Sequence, residues 1–308
     1  MKTIRAALLV TLSATAALLG PALHAQQSHP TPQPVEAVAA PAMARPALWK
    51  VSDADTTVYL FGTIHLLPKG IEWYDGKLAQ AFEQSQELVT ELPEIPQDQT
   101  MAVTMRFAAL PKGQTLRSLM DDKEKAKYEA ALQGLSIPAE ALDPLKPWFT
   151  TVALATVPLV RAGYSLNDGV EAQLEKRNKA LSRPRIGLET LEYQLGIFDG
   201  LPAAAQKAYL FETIDAFPKI AEEVNKMVGS WSKGDAATLA EILNGEMDDP
   251  VLYKALLTDR NRNWSVWIDE RMDRPGTVFL AVGAGHLGGK DSVQEFLEKA
   301  GFRVERVQ

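Results

Sequence analysis

Two short stretches, one near each end of the chain, share a pattern that constrains the fold more than any other feature. Residues 58–61 and 279–282 are apolar runs, and each is followed by Gly-x-x-His, ending at His65 and His286. Such a run that stops at a glycine is typical of one buried strand. After each histidine come a helical pattern and a second strand pattern, over 75–84 and 87–92 and over 291–300 and 302–307. We therefore predict an α/β fold whose central β-sheet is built from two β-GxxH-α-β units.

The two motif histidines stand out because histidine is rare in this sequence. The chain has only four, and the other two, His24 and His29, precede the expected domain. A single histidine at a strand end is usually only a boundary residue of intermediate polarity. Two in matching positions, with none elsewhere in the expected domain, instead favour a shared chemical role.

The region between the two units predicts a large inserted helical region. Helix patterns cover much of 101–163 and 191–272, and a short strand pattern over 184–190 lies between them. Glu189 ends this strand, as Glu91 ends the strand after the first motif. Parallel strands place their carboxyl ends at one edge of a sheet, where α/β proteins bind ligands. Both glutamates are therefore site candidates, although from position alone each could be a solvated strand-end residue.

The N-terminus predicts export. Basic residues precede an apolar stretch over 6–19, and Ala25 supplies a small residue after a Gly-Pro break. This is the three-part pattern of a signal peptide over 1–25, with an uncleaved anchor as the alternative. Residues 26–46 are rich in Pro and Ala and predict a linker, so the folded domain should occupy 47–308. We expect a periplasmic or secreted protein without stable membrane insertion after signal removal.

Composition limits both partners and chemistry. The net charge is −7 at pH 7, which argues against nucleic acid and anionic lipid as partners, because both need a basic face. The chain has no cysteine, so it has no disulfide, thiolate metal site or thiol nucleophile. Any metal must be held by nitrogen and oxygen.

Two histidines and one or two glutamates at strand ends are the ingredients of a metal site with open positions. Imidazole and carboxylate suit Mn, Co or Zn, and also Fe. Such a metal would activate a water and polarise a carbonyl, so hydrolysis is the natural reaction, with a second carboxylate available to take the proton. Neither GxSxG nor HExxH occurs, which argues against a serine hydrolase with that motif and against a zincin.

A further pair of polar residues lies in the last long helix pattern, over 250–272. Arg260 and Asn261 are adjacent there and could offer fixed donors to an oxyanion or a carboxylate. From composition alone, a solvated charged helix face is the better explanation.

Five motifs in this order resemble those of the TraB/GumN family, which includes the TIKI metalloproteases. They are FGTIHLLP at 61–68, LVTE at 88–91, GLET followed by YQL within 187–195, RN at 260–261 and VGAGHLGG at 282–289. The resemblance covers nearly the whole expected mature region, from Leu48 to Val307. It implies a core of the erythromycin-esterase/ChaN-like class and, for TIKI-type members, a divalent-metal-dependent peptidase.

The resemblance also assigns roles by position. It implies metal ligands at His65 and His286, ligand or base at Glu91 and Glu189, and orienting donors at Arg260 and Asn261. The chain departs from the family at 169–171, where the family commonly has Gly-hydrophobic-Asp and this chain has Gly-Val-Glu. The longer side chain moves the carboxylate by about one carbon–carbon bond, so we do not expect Glu171 to belong to the site.

The function that we expect is an exported metal-dependent hydrolase of peptide or related bonds, with a peptide or another small exported molecule as its substrate. The alternative is a binding protein that holds a metal, haem or a peptide in the same cleft without turnover. In both cases the two imidazoles should converge at one edge of the sheet beside an acidic group.

Overall fold

The computed structural model describes residues 43–245, 247 and 249–308. The expected signal peptide, its cleavage site and residues 26–42 of the expected linker lie outside these described residues. The part of the linker that is described packs on the domain: Ala44 N donates to Glu72 O at 2.7 Å, and Arg45 N donates to Ser232 O at 2.7 Å. The packed chain therefore starts ahead of the predicted boundary.

The structure confirms the predicted α/β class. A six-stranded sheet and a two-stranded sheet are formed. Their strands are β1 Leu48–Ser52, β2 Thr56–Thr63, β3 Leu67–Pro68, β4 Glu87–Thr90, β5 Tyr164–Ser165, β6 Arg185–Gly187, β7 Gly276–Gly283 and β8 Val304–Arg306.

Helices fill most of the remaining described chain. The α-helices are α1 Gly76–Gln84, α2 Gln97–Ala108, α3 Asp122–Gly134, α4 Pro147–Arg161, α5 Val170–Ala180, α6 Leu191–Asp199, α7 Ala203–Ala216, α8 Ile220–Ser232, α9 Ala236–Asn244, α10 Pro250–Tyr253, α11 Asp259–Met272 and α12 Val293–Lys299. Short 3₁₀ turns span Leu116–Leu119 and Ala284–His286, and a π-helical turn spans Lys254–Thr258.

The strand order in the large sheet is β6-β4-β7-β2-β1-β8. The four strands from β6 to β2 are parallel, whereas β1 pairs antiparallel with both β2 and β8. β1 and β2 therefore form an antiparallel hairpin. The two GxxH units differ in their last strand, because β4 joins the parallel part of the sheet and β8 forms an antiparallel edge.

Side chains alternate between the two faces of the sheet, and both faces are covered. On one face Phe61 and Phe279 pack with Phe82 of α1 and Trp231 of α8. On the other face Leu60, Leu280 and Val89 pack with Trp264 and Ile268 of α11 and with Leu297 of α12. Parallel strands buried on both faces require such near-continuous apolar runs, which explains the two patterns at 58–61 and 279–282.

The inserted helices form apolar clusters of their own. Trp148 of α4 stacks on Phe198 of α6 with ring centroids 5.9 Å apart, in a cluster that also includes Leu191 and Leu256. α4 and α7 are among the most closely packed helices. Among the described helices, none combines the length and apolar character that crossing a membrane requires.

The predicted single helix over 250–272 is interrupted. α10 ends at Tyr253, and the π-helical turn Lys254–Thr258 precedes α11. In this wider turn Asp259 N donates to Lys254 O, and the carbonyl of Leu256 accepts a hydrogen bond from the side chain of Arg260. The sequence pattern contained only apolar periodicity, which does not distinguish an α-turn from a π-turn.

Phe279→Ala is expected to lower the free energy of unfolding by about 3–5 kcal/mol. Phe279 is fully buried, and its ring lies 5.6 Å from that of Phe61 and 5.2 Å from that of Phe82. The control is Val266→Ala at a position on α11 that is 52% exposed, which should change stability by less than about 0.5 kcal/mol. Urea unfolding followed by circular dichroism measures both. Equal stability of the two variants would contradict this packing.

Candidate active site

The two motif histidines leave the sheet side by side. β2 and β7 are adjacent and parallel, with Thr63 opposite Gly283, so the loops that follow start at the same level. His65 and His286 lie in these loops and are 7% and 1% exposed. The structure therefore brings both histidines to one edge of the sheet.

Glu91 and Glu189 lie at the same edge, just beyond β4 and β6. These two strands are parallel neighbours, and their pairing continues past the strand ends, where Glu189 N donates to Glu91 O at 2.9 Å. Both side chains are nearly sealed from solvent, with exposures of 5% and 6%. The carboxylates are thus buried beside the histidine loops.

Arg260, at the start of α11 and 1% exposed, connects these groups. Its Nε and Nη2 donate to Glu189 at 2.9 Å each, and Nη2 also donates to Glu91 at 2.7 Å. Its Nη1 donates to Leu256 O at 3.3 Å and lies 3.3 Å from His286 Nε2. A guanidinium has five N–H donors, so these contacts use all of them. Arg260 therefore holds groups of the protein and has no remaining donor for a substrate.

Glu91 is an ionised carboxylate with three donors around it. One oxygen accepts from Gly283 N at 2.8 Å, and the other accepts from Gln194 Nε2 at 3.0 Å as well as from Arg260. Burial alone would raise the pKa of Glu91, but the charges of Arg260, His286 and His65 outweigh it and lower this pKa to about 2. Glu91 is therefore negatively charged at neutral pH.

His286 is held in one tautomer. Asn261 Nδ2 donates to Asp291 O at 2.8 Å, so Asn261 Oδ1 faces the ring and lies 2.6 Å from His286 Nδ1. Burial, and then the charge of Arg260, lower the pKa of His286 to about 3. The neutral ring carries its proton on Nδ1, and Nε2 presents a lone pair towards Arg260.

The expectation that Glu171 lies outside the site is wrong. Glu171 Oε1 lies 2.7 Å from His65 Nδ1. The segment that leads into α5 packs directly against the His65 loop, where Val170 N donates to Ile64 O at 3.0 Å. The longer side chain is therefore placed within reach of the ring by a backbone contact that the sequence pattern did not indicate.

Two further residues complete the cluster: Trp264, which the sequence did not single out, and Gln194, which lay in the YQL motif without an assigned role. Trp264 Nε1 donates to Glu189 at 3.0 Å, and its ring centroid lies 4.5 Å from that of His286. Gln194 Nε2 donates to both Glu189 and Glu91. Trp264 follows Arg260 by one helical turn, and this spacing was the available signal.

The residues of this cluster meet some, but not all, of the requirements of a divalent metal site. Neutral His286 and ionised Glu91 have the protonation states that a divalent cation requires, and metal-bound histidines usually donate their other N–H to an oxygen, as His286 does to Asn261. Glu189 fits less well, because each of its oxygens accepts at least two hydrogen bonds within the cluster, whereas among the described residues Glu91 Oε1 accepts only one, from Gly283 N. Over the described part of the chain, no three His, Asp or Glu side chains are gathered as a metal-binding group.

Comparisons with known proteins place the chain in a family. Residues 47–306 match the TraB/PrgY/gumN family, and the chain belongs to it. The chain is 23% identical to the uncharacterized protein YbaP of Escherichia coli (strain K12) over 239 residues, which cover 78% of this chain and 87% of that protein. YbaP of Shigella flexneri gives the same values. No solved structure matches the chain.

Arg260→Met is expected to lower the free energy of unfolding by about 3–5 kcal/mol, because it leaves two buried carboxylates without their shared cation. The matched control is Arg262→Met on the same helix. Arg262 has a 53% exposed side chain and pairs with Asp259 at the surface, so its loss should cost less than about 1 kcal/mol. Urea unfolding near neutral pH measures both. An Arg260→Met protein as stable as the control would contradict the ionised cluster.

The depressed pKa of His286 predicts a specific pH dependence of stability. Below its ordinary pKa of 6.5 the unfolded chain binds a proton at this residue, whereas the folded chain does not until about pH 3. The stabilising contribution of neutral His286 is therefore complete above pH 6.5 and is lost as the pH falls from 6.5 towards 3. Between these two pH values, His286 contributes about 1.4 kcal/mol per pH unit to the slope of the free energy of unfolding against pH.

His286→Gln should remove the contribution of His286 to the pH dependence of the free energy of unfolding. The contributions of the other titratable groups should remain. The measurement is the free energy of urea unfolding at several pH values between 4 and 6 in the presence of a chelator, for the wild type and the variant. The slopes are compared, because the substitution also lowers stability at every pH. Equal slopes would show that His286 is protonated in the folded protein.

Proposed function

We propose that this protein is an exported hydrolase that acts with a divalent metal ion on peptide or related bonds. One observation carries the proposal. Ionised Glu91 lies within electrostatic reach of both His65 and His286, and His286 has an unprotonated Nε2. Neutral imidazole and carboxylate are the ligands that Mn, Co and Zn take from a protein without cysteine.

His65, His286 and Glu91 are the residues that would hold the ion, and His286 would bind it only once Nε2 no longer accepts from Arg260 Nη1, which lies 3.3 Å away. When bound, the ion would lower the pKa of a water and polarise the scissile carbonyl. Arg260 keeps Glu91 ionised and fixed. Asn261 fixes the ring of His286, so that the same nitrogen always points into the cluster.

Glu189 has a supporting role in this proposal. Its oxygens accept from Arg260 and from Trp264, so it fixes the guanidinium that in turn fixes Glu91. Arg260 and Asn261 likewise act on protein groups, since the Arg260 donors bind Glu91 and Leu256 O and Asn261 Nδ2 donates to Asp291 O. These residues position the ligands and do not bind the substrate.

Peptide bonds are the preferred substrate class because of the resemblance to TIKI metalloproteases. Export is supported by the signal-peptide pattern over 1–25. The net charge of −7 disfavours polyanionic substrates, which an acidic protein repels.

A second candidate is a binding protein without turnover. It is favoured by the position of Arg260, whose guanidinium already neutralises Glu91 and Glu189 and lies 3.3 Å from His286 Nε2. A cluster that supplies its own cation can be stable without a metal. The two candidates differ in whether the protein cleaves a bond when it is loaded with metal.

The test combines metal analysis with a cleavage assay. The purified protein is incubated with Mn²⁺, Co²⁺ or Zn²⁺, its metal content is measured by mass spectrometry, and a fluorogenic peptide library is assayed with and without chelator. His65→Ala and His286→Ala should each weaken metal binding by more than about 100-fold, because the loss of a supporting residue alone costs about 10–100-fold.

His29→Ala is the matched control, because His29 lies outside the described residues and outside the expected domain. It should keep wild-type metal content and cleavage. If His65→Ala and His286→Ala also keep both, the proposal is wrong. If both lose the metal but the wild type cleaves no peptide, the binding protein becomes the better candidate.

A further inference from the structure

We propose that Glu171 is a positioning residue that fixes the imidazole of His65 with its proton on Nδ1. The lone pair of the neutral ring is then on Nε2. The catalytic meaning of this assignment rests on the proposed function, whereas the position of the proton does not. The inference rests on three features: a close backbone contact, the surroundings of Glu171, and the contrast between the two motif histidines.

The close backbone contact is made by Gly169. A Cβ at this position would lie 2.0 Å from the carbonyl oxygen of His65, far inside van der Waals contact, so only glycine permits this approach. The next residue, Val170, donates its backbone N–H to Ile64 O at 3.0 Å. The start of α5 is thus attached to the His65 loop by main-chain atoms, and the position of Glu171 relative to the ring follows from it.

A second contact stabilises the same arrangement. β3, which follows His65, pairs antiparallel with β5, which precedes α5, so that Leu67 lies opposite Ser165 and Pro68 opposite Tyr164. The His65 loop is therefore held between the parallel sheet on one side and this small sheet on the other. The chain that leads into Glu171 is thus attached to the His65 loop at two points, Tyr164–Ser165 and residues 169–170.

The polar contact that the Glu171 carboxylate makes is with the imidazole ring of His65. The side chain of Glu171 is 19% exposed, and Oε1 lies 2.7 Å from His65 Nδ1. Neither carboxylate oxygen has a hydrogen-bond partner of standard geometry among the described residues, so the close approach of Oε1 to Nδ1 is the polar contact that the carboxylate makes. Glu175, one turn later on α5, instead forms ion pairs with Lys179 and Arg185. Glu171 also lies in the first turn of α5, where the helix dipole favours a negative charge.

The chemistry of this contact fixes the proton. A carboxylate oxygen presents lone pairs, so a ring nitrogen that lies 2.7 Å from it is favoured to carry a hydrogen, since two facing lone pairs would repel. A carboxylate in this position orients an imidazole and increases the basicity of its other nitrogen. His286 has a neutral amide, Asn261, at the equivalent ring atom and a guanidinium near Nε2. The two matched histidines are thus unlike, and His65 is the stronger electron donor.

The experiment detects the ring proton directly in metal-free protein. Long-range ¹H–¹⁵N spectra of the purified chain are recorded with ¹⁵N-histidine at alkaline pH, where imidazole is neutral, and His65→Gln assigns the ring. In the wild type, Nδ1 of His65 should have the shift of a protonated nitrogen and Nε2 that of an unprotonated one. In Glu171→Ala the two shifts should converge, because both tautomers become populated.

Two variants complete the test. Glu171→Asp keeps the charge but withdraws it by one carbon, so its shifts should lie between those of the wild type and Glu171→Ala. Glu175→Ala, on the same helix, should give the wild-type spectrum, and circular dichroism checks that all variants are folded. The inference is overturned if wild-type His65 carries its proton on Nε2, if Glu171→Ala leaves the shifts unchanged, or if Glu171→Asp is no closer to the wild type than Glu171→Ala.

A second measurement connects the assignment to metal binding. Titration calorimetry with Mn²⁺ should show an affinity about 10–100-fold weaker for Glu171→Ala than for the wild type, and an unchanged affinity for Glu175→Ala. Equal affinities of wild type and Glu171→Ala would overturn the positioning role. If the wild type bound no metal, the proposed function would fail, while the spectra would still decide the tautomer of His65.

Discussion

The structure depends on the burial of one guanidinium between two carboxylates. Removing Arg260, Glu91 and Glu189 from water costs several kcal/mol per ion, and such a group is tolerated only when every donor and acceptor is satisfied. Here the guanidinium donors are all engaged, and each carboxylate accepts from at least one further group, Gly283 N or Trp264 Nε1. The cluster thereby connects the ends of β4 and β6 to α11 and to β7. Misplacing any of these elements would leave a buried charge unpaired.

The positions of His65, His286, Glu91 and Glu189 could be predicted from the sequence, because apolar runs indicate parallel strands and such strands end at one edge of the sheet. What these residues contact could not be predicted in this way. The contact of Glu171 with His65 depends on how closely two backbones approach at a glycine, which is a property of tertiary packing. The π-helical turn Lys254–Thr258 and the contact of Trp264 with His286 have the same origin.

The two GxxH units are similar in sequence but differ in their surroundings. His286 is enclosed by Asn261, Trp264 and Arg260 and stays neutral, whereas His65 faces the carboxylate of Glu171. A site with one electron-poor and one electron-rich imidazole can give two histidines separate tasks, although the strands that carry them are related by pattern. In this way a repeated motif can support an asymmetric reaction centre.

The pairing of β2 with β7 joins residues that are more than two hundred positions apart. Contacts of such long range form late in folding, because the intervening chain must first be ordered. A ribosome releases the N-terminal strand long before the segment that carries the second imidazole. In a nascent chain β2 therefore has no β7 to pair with until late in synthesis. The two histidines can come together only when synthesis is almost complete. Truncated products of this gene would lack any part of the chemistry that requires both rings.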